Sequence, residues 1–179
     1  MIKVRGGTYK NRNLKEPPSE ITRPSKDITK LGLFNILNLK LRNSIFLDLF
    51  SGSGNIAIEA YSRGAKEVYL NELNKISYKV IEENLNNLNI LDIKKYNLDY
   101  LIFLKEMKNN NVKFDIIFLD PPYKLEINLD FIDELIANFL NEDGYLIIER
   151  EDKLKDDITS KYEFKEYKYG RSKLYKFIK

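Results

Sequence analysis

A chain of 179 residues, 43% hydrophobic and 32% charged, is typical of one globular domain that can bury its own core. It contains no Cys and no His, which excludes disulfides, thiolate nucleophiles, zinc clusters and His-based catalytic triads. No apolar run is long enough to predict a membrane span, and the N-terminus lacks the apolar segment of a signal peptide. We therefore expect a cytoplasmic protein without a membrane partner, in which any general base is a carboxylate, a Lys or a Tyr.

Charge is distributed unevenly along the chain, although the net charge is only +3. Residues 1–30 contain eight basic and three acidic side chains, a net charge of +5, whereas the rest of the chain carries −2. A basic segment joined to a slightly acidic body favours a polyanion as partner. A solvated surface in a Lys-rich chain explains the same charges, so both interpretations stay open at this point.

The first 43 residues predict a hairpin and a helix. The stretch GGTYKNRN, between Ile2 and Leu14, has the glycines and polar residues of a turn between two short strands. Three prolines, at positions 17, 18 and 24, then favour extended chain. From Lys26 a helix is predicted, capped by Ser25 or Asp27. Its core-facing residues recur at about the helical spacing and are Ile28, Leu31, Phe34 and Leu37.

From residue 44 onward, strands and helices alternate, which is typical of a parallel sheet covered on both faces. The predicted strands are Ile45–Phe50, Glu67–Leu70, Ile93–Tyr96, Phe114–Leu119, Tyr145–Glu149 (after a turn at Asp143-Gly144), Tyr162–Tyr169 and Lys173–Ile178. The predicted helices are Asn55–Arg63, Asn74–Asn89, Tyr100–Lys108 and Leu129–Leu140. The last two strands must be antiparallel because only a short turn joins them. The sequence thus predicts a three-layer α/β/α fold with a seven-stranded, mostly parallel sheet whose last strand is antiparallel.

The segment DLFSGSG, residues 48–54, lies where the first of these strands ends and a helix begins. Glycines there let the backbone approach a ligand, and the free N–H groups of the helix N-terminus face that ligand. Gly52, Gly54 and Ala57 also fit the loose dinucleotide fingerprint. The motif alone is equally compatible with a simple glycine-rich turn.

Acidic residues at the strand ends indicate which ligand this loop binds. Asp48 would repel a pyrophosphate but attract a cation, and S-adenosylmethionine carries both an ammonium and a sulfonium. Glu72 ends the second strand, where an acid can accept both hydroxyls of a ribose. Asp99 follows the third strand, where an adenine would lie, and it also fits the N-cap of the next helix. The candidate cofactor site consists of Asp48, Phe50, Gly52, Ser53, Gly54, Glu72, Leu73 and Asp99.

The tetrapeptide Asp120-Pro121-Pro122-Tyr123 directly follows the fourth strand, at the edge where such sheets bind ligands. Its prolines hold the loop extended, so the Asp120 carboxylate and the Pro121 carbonyl can accept the two hydrogens of one amino group. Tyr123 offers a face on which a base can stack, worth ~1–3 kcal/mol. An ordinary Asp-Pro-Pro turn is the alternative. These four residues form the candidate catalytic site for methyl transfer to an exocyclic amino nitrogen.

Together, IFLDLFSGSGNIAIEA, the acid of LNEL and FLDPPY resemble the Rossmann-type methyltransferases that carry an Asp/Asn-Pro-Pro-aromatic motif. The segments VRGGTYKNRNL, TRPSKDITKLGLFNIL and YKYGRSKLYKF narrow the resemblance to the RsmD-type guanine-N2 methyltransferases of small-subunit ribosomal RNA. The resemblance covers essentially the whole chain. It departs from the family pattern after Arg23-Pro24, where Ser25 replaces a Thr and Leu31 stands where an acid is usual.

The resemblance implies that S-adenosyl-L-methionine methylates a guanine N2 in 16S ribosomal RNA, with S-adenosyl-L-homocysteine as product and no metal required. It implies a Rossmann-like methyltransferase domain at residues 44–179 and an RNA-docking extension at residues 1–43. The substrate would be ribosomal RNA within a small-subunit particle, and we expect the protein to be a monomer. The side chains expected to contact phosphates are Arg5, Lys10, Arg12 and Arg23.

Three alternatives stay open on the sequence. An adenine-N6 methyltransferase of RNA or DNA shares the tetrapeptide, although a sequence-specific DNA enzyme would need a recognition region for which this chain has no room. An NAD-dependent oxidoreductase would use the glycine-rich loop, but Asp48 and the tetrapeptide argue against it. A binding module without catalysis is opposed by the intact Asp48, Glu72 and tetrapeptide.

Overall fold

The computed structural model describes residues 2–18, 27–122, 124–155, 158 and 161–179. They form a small hairpin, a first helix and a seven-stranded sheet with helices on both faces. Within these ranges no helix is both long enough and apolar enough to cross a membrane.

The elements follow the predicted alternation. The strands are β1 (Ile2–Lys3), β2 (Asn13–Leu14), β3 (Ile45–Asp48), β4 (Glu67–Asn71), β5 (Lys94–Tyr96), β6 (Phe114–Leu119), β7 (Leu140–Arg150), β8 (Phe164–Tyr169) and β9 (Ser172–Ile178). The helices are α1 (Asp27–Leu41), α2 (Asn55–Ser62), α3 (Lys75–Asn87), α4 (Tyr100–Asn109) and α5 (Leu129–Glu134), which continues into a π-helix over Leu135–Phe139.

The main sheet has the strand order β5-β4-β3-β6-β7-β9-β8. Strands β3 to β7 pair in parallel, whereas β9 is antiparallel to both of its neighbours, β7 and β8. The predicted seven-stranded fold with a reversed last strand is therefore confirmed. The carboxyl ends of β3, β4, β6 and β7 and the amino end of β9 all lie at one edge of the sheet.

Side chains alternate between two hydrophobic cores along each central strand, because successive residues of a strand point to opposite faces. On β3, Phe46 joins the core that packs against α1, α2 and α3, and Leu47 joins the core under α4 and α5. Both side chains are fully buried. Because helices cover both faces of the sheet, both sets of side chains on a central strand are apolar, and the strand sequences are continuous apolar runs.

Strand β7 and helix α5 differ from their predicted forms. Strand β7 begins at Leu140 instead of Tyr145, and the predicted turn at Asp143-Gly144 lies inside it as an irregularity. The pairing with β6 shifts there, and Asp143 takes a left-handed φ of 58°, which Asp tolerates better than most residues. The predicted helix Leu129–Leu140 changes to π geometry at Leu135 before this strand starts.

The core-facing residues predicted for α1 are only partly correct. Phe34 and Leu37 are buried, but Ile28 and Leu31 are 61% and 43% exposed. The prediction was wrong for these two because a neighbouring helical stripe, which includes a charged residue, faces the core instead. The buried residues of α1 are Thr29, Lys30, Gly32, Leu33, Phe34, Leu37 and Leu41.

A buried ion pair joins α1 to α2. The Lys30 Nζ lies 2.9 Å from Glu59 Oε2, and both side chains are fully buried. The ammonium also donates to the Lys3 carbonyl at 2.6 Å and to Asn55 Oδ1 at 3.0 Å, so all three of its protons are used. Burial lowers the pKa of Lys30 below its ordinary value, and the hydrogen bond to Glu59 opposes that shift. Counting Lys30 with the basic surface of the N-terminal segment was therefore wrong, because its charge is matched inside the protein.

The Glu59 carboxylate also binds the hairpin and the C-terminal end of α2. Glu59 Oε1 accepts hydrogen bonds from Arg63 Nε at 2.9 Å and Nη2 at 2.6 Å, and Oε2 accepts the Arg5 N–H at 3.1 Å. The Arg63 guanidinium in turn lies 4.7 Å from the centre of the Phe34 ring. The hairpin, α1 and α2 thus meet at Glu59, and we call Lys30, Glu59, Arg63 and Asn55 the buried cluster.

The hairpin is confirmed and docks on the C-terminal end of α2. Strands β1 and β2 pair antiparallel, with Ile2 opposite Leu14. The Thr8 N–H donates to the Ser62 carbonyl at 2.8 Å, and the Ser62 hydroxyl donates to the Gly6 carbonyl at 2.6 Å. Because backbone groups on both sides are used, the hairpin is held in a defined position.

Candidate active site

The glycine-rich loop connects β3 to the first residue of α2, as its sequence predicts. Gly52 and Gly54 have φ values of 54° and 76°, a conformation that glycine adopts without a Cβ clash. The Gly52 N–H donates to Glu72 Oε2 at 2.7 Å, and no side chain caps the N-terminus of α2 in the described structure. The loop therefore presents backbone N–H groups beside an acid from the neighbouring strand.

Glu72 connects this loop to the start of α3. Its second oxygen, Oε1, accepts the Asn74 N–H at 2.7 Å. Burial raises the pKa of Glu72 above its usual range, and these two backbone hydrogen bonds oppose the rise. Each carboxylate oxygen keeps a further lone pair, which is what acceptance of two ribose hydroxyls requires.

Asp48 lies at the end of β3 and is 1% exposed. Neither of its carboxylate oxygens has a hydrogen-bond partner among the described residues. Burial, and then the negative charge of Asp120, raise the pKa of Asp48 to about 8. The Ala57 N–H and the Ser51 hydroxyl are near enough to oppose that rise but do not reach hydrogen-bond geometry. A buried acid without a partner is costly, so this position suits a bound cation.

Asp120 follows β6, next to Asp48, because β3 and β6 pair with Asp48 opposite Phe118. Burial raises the pKa of Asp120 to about 6. In the part of the chain that the structure describes, no residue donates a hydrogen bond to the Asp120 carboxylate or the Pro121 carbonyl. Both acceptors are therefore available to a ligand. Tyr123, the predicted stacking residue, lies outside the described residues.

One cavity of about 1230 Å³ runs along this edge of the sheet. It brings together Asp48, Asp120, Pro121 and Pro122 with the predicted cofactor residues, except Gly54. Gly54 is the N-cap of α2, and a Cβ at this position would lie 3.2 Å from Ile81, so its position is governed by helix packing. The predicted cofactor residues that line the cavity are Asp48, Phe50, Gly52, Ser53, Glu72, Leu73 and Asp99.

Asp99 is placed in the cavity by the loop that follows β5. The buried Asn71 side chain donates to the Leu98 carbonyl at 3.0 Å and accepts the Leu98 N–H at 3.2 Å. Asp99 then caps α4 by accepting the Leu101 N–H at 2.9 Å, as the sequence allowed. Capping uses one oxygen, so it does not conflict with a role at a bound adenine.

Sequence reasoning missed several cavity residues. The Tyr100 ring packs 5.5 Å from Phe50 and forms an apolar wall beside Asp99. Asn55 Nδ2 and Ser77 Oγ are buried without hydrogen-bond partners among the described residues, although both residues line the cavity. Tyr100 could have been found from its place after a predicted strand end, but Asn55 and Ser77 belong to helices whose orientation the pattern did not reveal.

The residues expected to bind RNA do not line this cavity. Arg5 forms an ion pair with Asp27, and Arg12 Nη2 donates to the Asn87 carbonyl at 3.4 Å. Lys10 is exposed, whereas Arg23 lies outside the described residues. The N-terminal segment nevertheless contributes to the cavity wall through Ile2, Glu16 and Pro17.

Comparison with known proteins identifies the family. The model of a family described as conserved hypothetical protein 95 matches residues 2–178. The chain belongs to this family. One relative, ribosomal RNA small subunit methyltransferase D of Haemophilus influenzae, is 34% identical over 153 residues, which cover 84% of this chain and 79% of the relative. The resemblance to the RsmD-type methyltransferases is therefore confirmed.

Solved structures share the fold. A hypothetical protein of Thermus thermophilus superposes with a TM-score of 0.86 at 27% identity, covering 99% of both chains. The 16S rRNA N2 G1207 methyltransferase of T. thermophilus, solved in complex with AdoMet and guanosine, gives a TM-score of 0.68 at 24% identity. That match covers 88% of this chain and 44% of the other. The predicted Rossmann-like methyltransferase fold is confirmed.

Proposed function

We propose that the protein transfers a methyl group from S-adenosylmethionine to the exocyclic N2 amino group of a guanine in small-subunit ribosomal RNA. The observation that carries the proposal is that Asp48, Glu72 and Asp120 line one cavity. Asp48 is buried there without a hydrogen-bond partner among the described residues, and Glu72 has the free lone pairs that a ribose would need. This set of acceptors suits a cationic cofactor on one side and an amino group on the other.

The Asp120 carboxylate and the Pro121 carbonyl hold the two amino hydrogens, which directs the nitrogen lone pair toward the methyl group. S-adenosylmethionine would supply that methyl group from its sulfonium and leave as S-adenosylhomocysteine, while the Asp120 carboxylate would accept the proton that the methylated nitrogen loses. Catalysis rests on positioning in a cavity that shields the reactants from water, because holding reactants in line converts a bimolecular step into a unimolecular one. The target base must leave its stack to reach Asp120, which lies inside the cavity.

The proposal is tested by incubating the purified protein and labelled S-adenosylmethionine with small-subunit RNA, free or as particles from cells that lack the gene. Mass spectrometry of the nucleosides should show N2-methylguanosine. N6-methyladenosine would instead establish the adenine-specific alternative, and binding of NAD without S-adenosylmethionine would overturn both.

Substitution at Asp120 tests the site itself. Asp120→Ala should reduce kcat by at least ~100-fold while leaving RNA affinity within about twofold, because the carboxylate acts on the reacting amino group. Asp120→Asn keeps one oxygen acceptor and should retain more activity. Asp130→Ala, which removes an exposed carboxylate at the start of α5, is the matched control and should change neither. A near wild-type kcat for Asp120→Ala would remove Asp120 from the mechanism.

A further inference from the structure

The cavity extends beyond the half that a cofactor would fill. Glu72 and Asp99 follow β4 and β5, on one side of Asp120 in the order of the sheet. On the other side the cavity passes the end of β7 and the start of β9, where residues 149–152 and 171–172 line it. We call this second part the substrate half, since Asp120 separates it from Glu72, the expected acceptor of the ribose hydroxyls.

The substrate half contains two arginines with different surroundings. Arg150 is engaged, because its Nε and Nη2 pair with the Asp152 carboxylate at 2.7 and 2.8 Å. Its Nη1 also donates to the Leu125 carbonyl at 3.3 Å, which ties the loop after the tetrapeptide to β7. Arg171 is exposed, and no residue in the described ranges pairs with it. Of these two arginines, Arg171 is therefore the one that has capacity for a ligand.

The position of Arg171 is fixed by the turn that carries it. Gly170 and Arg171 form the two-residue connection of β8 and β9, with Tyr169 opposite Ser172. The Tyr169 ring packs directly on Gly32 of α1, where an added Cβ would lie 2.1 Å from the ring carbon Cζ. The turn is thus held against the first helix, so a ligand need not order it on binding.

The acidic side chains inside the cavity determine which end of a nucleotide enters first. Asp48, Asp120, Glu149 and Glu151 all line it. The oxygens of these side chains can accept hydrogen bonds from the amino group of a base, whereas a phosphate offers them only further acceptors. A nucleotide therefore enters base first, and its phosphate stays at the rim, where Arg171 lies.

We propose that Arg171 binds the backbone phosphate beside the extruded target base. The inference rests on the proposed function and names the RNA subsite of the same cavity. A guanidinium matches a phosphate because it offers two parallel N–H donors and is always charged. Arg171 is a positioning residue in this role: it places the base against Asp120 and does not touch the reacting atoms.

The experiment compares Arg171→Gln, Arg171→Lys and Arg42→Gln with the wild type in methylation of small-subunit RNA. Arg42 is the matched control, an exposed arginine in the turn after α1 that lies toward the opposite edge of the sheet and outside the cavity. Arg171→Gln should raise the KM for RNA about 10- to 100-fold with kcat unchanged at saturation, as expected for loss of a charge-assisted contact. Cofactor affinity should be unchanged.

A salt series on RNA binding separates a phosphate contact from a base contact. Arg171→Gln should lower the slope of log K against log salt by roughly 0.7–0.9, the amount that one neutralised phosphate contributes, whereas Arg171→Lys and Arg42→Gln should keep it. A wild-type protein that methylates RNA, together with an unchanged KM and slope for Arg171→Gln, overturns this inference alone. A wild-type protein that methylates no RNA overturns the proposed function and the inference with it.

Discussion

Glu59→Gln would remove the negative charge at the centre of the buried cluster while keeping the volume of the side chain. Lys30, fully buried, would then lack a counter-ion, and Arg63 would keep only an amide oxygen as acceptor. Breaking a buried pair by removing one partner costs ~3–5 kcal/mol. A protein of this size loses ~2–4 °C in Tm per kcal/mol, so we expect Tm to fall by roughly 6–20 °C.

Urea unfolding followed by circular dichroism measures the free energy, and an unchanged m-value shows that the folded state keeps its compactness. The control is Glu83→Gln, which breaks the exposed pair between Lys15 and Glu83 and should cost less than ~1 kcal/mol. The decisive variant is Lys30→Met with Glu59→Gln, because it removes the buried ammonium together with its counter-ion and so leaves no unpaired Lys30 charge. The double variant should therefore be more stable than Glu59→Gln alone. A loss below ~1 kcal/mol for Glu59→Gln, or additive losses in the double variant, would refute the reasoning.

Three further predictions concern the cavity and the N-terminal segment. Because the pKa of Asp48 is raised in the folded state, the free energy of unfolding of the cofactor-free protein falls as the pH rises from about 4 to about 8, the range in which this carboxyl is ionised only in the unfolded chain. Asp48→Asn should therefore raise Tm more at pH 8 than at pH 5, and it should raise the free energy of unfolding at pH 7 by at most about 4 kcal/mol. It should also weaken cofactor binding, and equal Tm shifts at both pH values would contradict this reasoning. Glu72→Ala should weaken cofactor binding by about 10- to 100-fold in calorimetry, since a bidentate acceptor is lost and the Gly52 N–H loses its partner; unchanged affinity would remove Glu72 from the site. Neutralising Lys10 and Arg12 together should reduce the slope of log K for RNA binding against log salt without affecting cofactor affinity. An unchanged slope would show that these two side chains are solvated and do not contact RNA.

The sequence predicted the fold well because its signals are local. Apolar runs bounded by glycines located the central strands, and the short turn at Gly170 required the antiparallel end of the sheet. The candidate site followed from the fold, since Asp48 ends a strand, Glu72 and Asp120 directly follow one, and parallel strands end at one edge.

What the sequence did not predict depends on contacts between distant elements. A hydrophobic pattern always places a lysine such as Lys30 on the surface. Its burial depends on the ion pair with Glu59, which lies on another helix. Ile28 and Leu31 were misplaced for the same reason, since the face of α1 that carries Lys30 is the one that packs inward. Arg171 could not be assigned to the cavity until the position of β9 in the sheet was known.

The insertion of β9 between β7 and β8 has a consequence for how the protein is made. During synthesis the chain emerges N-terminus first, so the cavity residues that follow β3, β4 and β5 leave the ribosome well before the strand that completes the sheet. Until Ser172–Ile178 emerge, β7 has an unpaired edge and β8 has no neighbouring strand in the sheet, and such an edge invites pairing with other chains. A chain interrupted before Ser172 would therefore aggregate or be degraded before it could modify RNA, and the wall that carries Arg171 is the last part of the cavity to be built.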